Sequence, residues 1–124
     1  MKQIILAIED FADQALWLNT VLGKGYDLRI VQNLVQARRE LLSYTPALIL
    51  LDGSLPDGDG FTFCKWLKMD KRYENVPIFL FTARLEEEER EFGLSQGAAE
   101  YLVKPVPVVE LKEKLAKYIG PPSA

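Results

Sequence analysis

"LILLDGSLPDGDGF", residues 48–61, runs from four aliphatic residues into Asp52 and then into a loop holding Gly53, Pro56, Asp57, Gly58, Asp59 and Gly60. Leu48 to Leu51 have the character of a buried strand, short and apolar throughout. A carboxylate directly after such a strand is a simple cap, a metal ligand or a nucleophile. The rest of the chain decides which.

Upstream, residues 2–8 ("KQIILAI") form a short apolar run that ends in Glu9 and Asp10. In "DQALWLNTVL", residues 13–22, Trp17, Leu18, Val21 and Leu22 share one helical face, and Gly23 and Gly25 stop the helix. "YDLRIVQ", 26–32, alternates with period two and reads as a strand. Asn33 caps a helix over "LVQARRELLSY", with Leu34, Ala37, Leu41 and Leu42 as its stripe and Pro46 beyond. "ALILLD", 47–52, is apolar on both faces and is therefore central in its sheet.

Downstream, "FTFCKWLKMD" is helical with Phe63, Cys64 and Leu67 inward, and "VPIFLFTA", 76–83, is a fourth buried strand. "LEEEEREFGLSQ" forms a helix ending at Gly97; its acidic first turn suits the helix dipole, and Glu86 is placed to pair with Arg90. "EYLVK", 100–104, is a fifth strand. Pro107 opens a last helix with Leu111, Leu115 and Ile119 inward, and "GPPSA" reads as a frayed tail. Five strands alternating with five helices specify an open parallel sheet with helices on both faces.

The chain of 124 residues fits one domain, with 48% hydrophobic and 27% charged residues. A net charge of −3 without a basic run argues against nucleic-acid binding, and no apolar stretch reaches the ~20 residues of a membrane span. The N-terminus lacks the features of a signal peptide. Cys64 stands alone, which excludes an internal disulfide, fits a reducing cytoplasm, and reads as a small core residue. There is no histidine, so histidine-based hydrolases and histidine-ligated zinc are excluded.

In an open parallel sheet, ligands bind beyond the carboxyl ends of the strands, where strand order reverses. The first strand ends in Glu9 and Asp10, the third in Asp52, the fourth in Thr82 and the fifth in Lys104. Clustered carboxylates repel one another unless a cation sits among them, and an all-oxygen set suits magnesium. Lys104 adds a charge for a phosphoryl oxygen. Asp52 is then a carboxylate nucleophile toward phosphorus, giving an aspartyl phosphate.

The Glu9-Asp10 pair, "LLDGSLPDGDGF", "FTA" at 81–83 and "GAAEYLVKP" at 97–105 together resemble the receiver domain of two-component response regulators, over nearly the whole chain. The resemblance implies a flavodoxin-like, doubly wound five-stranded sheet of order 2-1-3-4-5. It implies Asp52 as phosphoacceptor and magnesium held by Glu9, Asp10, Asp52 and the backbone carbonyl of Ser54. Thr82 would bond the phosphoryl group, Tyr101 would be the switching aromatic, and the Lys104-Pro105 bond would be cis. Glu9 stands where aspartate is commoner. Ser54 and Arg84 occupy the two positions that flank the path of attacking water in receivers generally, so they are expected to tune the phosphoryl lifetime.

The resemblance further implies a receiver over 1–120, with 121–124 as a tail or the start of a linker. It implies a phosphoacceptor signalling domain, not an enzyme acting on other substrates, that catalyses its own phosphorylation and dephosphorylation. A histidine kinase or histidine phosphotransfer protein would be the donor. The face built by the fourth helix, fifth strand and fifth helix, residues 85–118, would signal to a protein target or form a homodimer.

Rival readings fit less well. An EF-hand loop with Gly60 at its sixth position would begin at Leu55 and end at Trp66, which supplies neither required carboxylate. A haloacid-dehalogenase-type phosphatase needs a second aspartate two residues after the first, where Ser54 stands. "GKGY", 23–26, is no phosphate-cradling loop. A receiver acting only as an adaptor is disfavoured by the complete set of motif residues.

Overall fold

In the computed structural model, which describes residues 2–123, β1 (Ile4–Ile8), α1 (Ala12–Leu22), β2 (Asp27–Val31), α2 (Leu34–Leu41) and β3 (Leu48–Leu51) come first. A two-stranded ribbon, β4 (Ser54–Leu55) with β5 (Gly58–Asp59), precedes α3 (Gly60–Lys68) and a 3-10 turn at Lys71–Tyr73. Then follow β6 (Ile78–Thr82), α4 (Glu87–Ser95), β7 (Glu100–Val103) and α5 (Val108–Ile119). The main sheet has the order β2-β1-β3-β6-β7, all parallel. Counting its own strands alone, that is 2-1-3-4-5, the flavodoxin-like order expected.

Side-chain alternation on the strands divides the core in two. Leu6, Ile8, Ile49, Leu51, Ile78 and Leu80 point to the side covered by α2 and α3, where Leu34, Ala37, Phe63, Cys64 and Leu67 meet them. Ile5, Ala7, Leu48, Leu50, Phe79 and Phe81 point to the other side, against Leu18, Leu22, Leu111 and Leu115 of α1 and α5. Burying each such leucine or phenylalanine stabilises the fold by ~1.5–3 kcal/mol before entropy is subtracted. Cys64 is one of these core side chains, and burial pushes its thiol up to about 11.

Four local readings are corrected. Helix α2 stops at Leu41, and Leu42, expected in its stripe, is 82% exposed; the Leu42 and Ser43 amides tighten to three-residue bonds with Arg39 and Glu40. Strand β2 shows no clean alternation, because it is an edge strand whose Arg29 pairs with Asp27 at 3.0 Å and lies over the Tyr44 ring. The Glu86–Arg90 ion pair gives way to one between Glu89 and Arg84.

The tail over 120–123 is held: the Ser123 amide donates to the Gly25 carbonyl at 2.9 Å, and the Tyr26 hydroxyl donates to the Gly120 carbonyl at 3.2 Å. Gln3 donates to the Ile119 carbonyl nearby, at 2.8 Å. Ala124, the last residue of that expected tail, lies outside the described residues.

Candidate functional site

The register of the sheet brings the strand ends together. Ile8 lies beside Leu51, Leu51 beside Leu80, and Thr82 beside Val103, so Glu9, Asp52, Thr82 and Lys104 all emerge at one edge. Backbone hydrogen bonds extend the pairing to the site residues themselves. The Asp52 amide donates to Ile8, Glu9 to Val31, and Lys104 to Thr82, at 3.1, 2.9 and 2.8 Å. Asp52, Ser54, Thr82, Arg84 and Lys104 line an open cleft of about 580 Å³, together with Ala83, Leu85 and Glu86.

Glu9 and Thr82 are almost wholly buried and Asp52 is nearly so. A buried carboxylate needs partners. Glu9 accepts from the Phe11 amide at 3.2 Å and is bonded to the Lys104 ammonium; Asp52 accepts from the Ser54 amide at 3.1 Å and lies 3.5 Å from that ammonium. Burial pushes the Glu9 carboxyl above the ordinary glutamate range, and Lys104 opposes that rise without cancelling it. Glu9, one methylene longer than the aspartate commoner at this position, is bonded directly to the ammonium.

Ligand oxygens of Glu9, Asp10 and Asp52 lie within 4.8 Å of one another, with Asp10 on the exposed side. One ammonium against three carboxylates leaves the pocket short of positive charge. The donors are all oxygen, with neither imidazole nor thiolate among them, which is the chemistry of a hard cation. The residues therefore fit a metal of the magnesium type. The Lys104-Pro105 peptide bond is cis, as the resemblance implied.

The loop that follows Asp52 works by close approach. Neither Gly58 nor Gly60 has a positive φ, so what each position requires of glycine is the absence of a side chain. A Cβ on Gly60 would stand 2.0 Å from the Asp52 carbonyl oxygen, and one on Gly58 would stand 2.6 Å from Leu34 Cδ1. The Gly60 amide donates to the Gly53 carbonyl at 3.1 Å and closes the loop on itself. Asp59 then caps α3, accepting from the Phe61 amide at 3.0 Å, and the ribbon pairs Ser54 with Asp59.

Asp57 has a task that its position in the motif does not disclose. Its carboxylate accepts from the Leu34 and Val35 amides at 2.9 and 3.1 Å, tying the loop to the first turn of α2. These amide bonds hold its carboxyl below the ordinary aspartate range, chiefly the one from Leu34.

Thr82 and Tyr101 are linked through one residue. The Thr82 hydroxyl accepts from the Arg84 amide at 3.3 Å, and the Tyr101 hydroxyl donates to the Arg84 carbonyl at 2.8 Å. Tyr101 is buried, edge-on to Phe61, whose ring also meets Phe92 of α4. Gly93 is the helix position that admits the Tyr101 ring, since a Cβ there would stand 3.0 Å from it. Sequence reading missed Phe61, Gly93 and Glu89 as parts of this neighbourhood. The cue available was their place, one at the start of α3 and two in a helix otherwise read only for its charge.

A flavodoxin-like sheet with an acidic pocket, a threonine and a lysine at its switch edge defines a receiver-type α/β domain. The family model described as "Response regulator receiver domain" matches residues 5–116, and the chain belongs to that family, whose members serve two-component systems. It is 35% identical over 112 residues to the transcriptional regulatory protein GltR of Pseudomonas aeruginosa, covering 90% of this chain and 46% of that protein. It is 36% identical over 116 residues to the phosphate regulon transcriptional regulatory protein PhoB of Escherichia coli, covering 93% of this chain and 51% of that one. The chain thus spans about half the length of these relatives. Among solved structures, the receiver domain of the sensor histidine kinase PA1611 from Pseudomonas aeruginosa superposes with a TM-score of 0.86 at 30% identity, covering 97% of this chain and 99% of that one. That structure has a magnesium ion coordinated in its active-site cleft. No helix among the described residues is long and apolar enough to cross a membrane.

Proposed function

We propose that the chain accepts a phosphoryl group on Asp52 from a phosphohistidine of a partner kinase or phosphotransfer protein, and passes the change to a protein target. The observation that carries this is the convergence of Asp52, Glu9, Asp10, Thr82 and Lys104 at one end of the sheet. The 124 residues contain no histidine, so the donor imidazole lies outside them. In the transfer, an Asp52 carboxylate oxygen forms a bond to phosphorus while the bond from phosphorus to the donor nitrogen breaks, and the imidazole departs with its electron pair.

Each residue has a physical task in that step. The Ser54 amide fixes the Asp52 carboxylate. Glu9, Asp10, Asp52 and the Ser54 carbonyl would hold magnesium, which supplies charge neutralisation between the carboxylates and the phosphoryl oxygens. Lys104 stabilises phosphoryl charge from the other side, and the Thr82 hydroxyl can turn from the Arg84 amide to the phosphoryl oxygen. Tyr101 follows through the Arg84 carbonyl, so the α4–β7–α5 face, residues 85–118, changes with the site.

That face is the proposed contact for a downstream protein or a second copy. The domain is a cytoplasmic signalling element that catalyses its own phosphorylation and dephosphorylation, with no nucleic-acid contact of its own at a net charge of −3. The test is mass spectrometry after incubation with acetyl phosphate, with and without magnesium. A species heavier by about 80 Da, one added phosphoryl group, is expected in wild type with magnesium and absent from Asp52→Asn. Equal labelling of the variant would falsify the assignment.

A further inference from the structure

Arg84 bridges three elements. Its Nε and one terminal nitrogen donate to the Ser54 hydroxyl at 3.2 and 2.8 Å, and that terminal nitrogen also donates to the Gly53 carbonyl at 3.2 Å. The other terminal nitrogen donates to Glu89 Oε2 in the first turn of α4 at 3.3 Å, and the guanidinium lies 4.8 Å over the Phe61 ring. The two residues that directly follow Asp52 are therefore strapped to α4 by one side chain, which also lines the Asp52 cleft.

We propose that Arg84 is shared between Glu89 and the phosphoryl group, so that Glu89 sets how long the phosphorylated state lasts. This rests on the reading of Asp52 as the phosphoacceptor. Glu89 offers a single negative charge, and the Arg84 and Glu89 side chains are 33% and 39% exposed, so solvent weakens their pair. A phosphoryl group brings about −1.5 to −2 charges and three acceptor oxygens, a better match for a planar fork of donors. Little travel is needed, because the guanidinium already touches Ser54 and Gly53.

Hydrolysis proceeds when water attacks phosphorus and the phosphorus–oxygen bond to Asp52 breaks, releasing inorganic phosphate and the free carboxylate. A guanidinium lying over the phosphoryl oxygens obstructs that attack. Glu89 draws it away and so shortens the lifetime. Once released, Glu89 remains favourable in the first turn of α4 through the helix dipole, so the exchange does not cost the helix its start.

The experiment follows the decay of protein phosphorylated with acetyl phosphate at fixed magnesium, in wild type, Glu89→Gln, Arg84→Ala and the double variant. Glu88→Gln serves as a control, since Glu88 lines the groove beside Arg84 but is not one of its bonded partners. Glu89→Gln should slow decay by at most about fivefold, the rate equivalent of an exposed ion pair. That slowing should vanish when Arg84 is already alanine, and Glu88→Gln should decay as wild type does. The Arg84 Nε–H NMR signal should move on adding beryllofluoride, a phosphoryl mimic, towards its position in Glu89→Gln.

Slowing of equal size without Arg84, no slowing in Glu89→Gln, slowing in Glu88→Gln, or an unmoved Nε–H signal overturns the exchange. A chain that takes no phosphoryl group on Asp52 overturns the reading of the site and the exchange with it. Normal phosphorylation with decay indifferent to Glu89 overturns the exchange alone.

Discussion

The Arg84 guanidinium holds the Ser54 hydroxyl with two hydrogen bonds, at 2.8 and 3.2 Å, across the mouth of the cleft that contains Asp52. Two positions thirty residues apart, each singled out by the resemblance to receivers as flanking the path of water, are direct partners. A solvated arginine at the start of a helix would have no such contact.

Removing that side chain should open the path. Arg84→Ala is expected to lose phosphoryl groups faster than wild type, by up to about fivefold, the equivalent of ~0.2–1 kcal/mol for a contact this exposed. A decay assay at fixed magnesium decides it. Unchanged or slower loss would return Arg84 to a purely structural role.

Lys104 is bonded to Glu9 and lies 3.5 Å from Asp52, so its charge competes with a metal's for the same carboxylates. Lys104→Ala should therefore bind magnesium at least as tightly as wild type, while responding less to phosphorylation. A calorimetric magnesium titration showing much weaker binding in the variant would defeat the prediction.

Thr82 and Tyr101 are joined by the amide and carbonyl of Arg84, so the threonine hydroxyl is the first link of the chain. Thr82→Ala should still accept a phosphoryl group at Asp52. With beryllofluoride it should lose the NMR shifts of Tyr101 and of residues 85–118 that wild type shows. The same shifts in both proteins would mean that the coupling runs elsewhere.

Asp57 ties the loop to α2 as an anion, and its carboxyl titrates below the ordinary 3.8. A depressed carboxyl contributes stability that is fully present above its unfolded value and is lost as pH falls through its folded value. The Leu34 and Val35 amide signals should thus move below about pH 4, as expected from the unfolded aspartate range, and Asp57→Asn should remove that acid step. An unchanged step in the variant would assign it to another carboxylate.

The parallel sheet and the strand-end residues were legible because periodicity and strand-end chemistry are properties of short stretches, whereas the strand order came from the resemblance. Asp52, Thr82 and Lys104 needed only the rule that such ends meet. Leu42 was misplaced because helix periodicity continues past the turn where α2 tightens and stops. The Glu89 partner and the Asp57 tie escaped because each joins elements whose spacing no local pattern encodes. Tertiary geometry chose Arg84 over Arg90 for the acidic turn of α4.

The anchoring of residues 120–123 against Gly25, beside the start of β1, has a practical consequence for instrumentation. The Asp52 cleft opens at the other end of that strand, and five residues of strand separate the two by roughly 17 Å at ~3.3 Å per residue. A fluorophore or surface tether joined to the chain at this end would sit at the edge of the sheet opposite the cleft. It would leave the mouth of the cleft unobstructed.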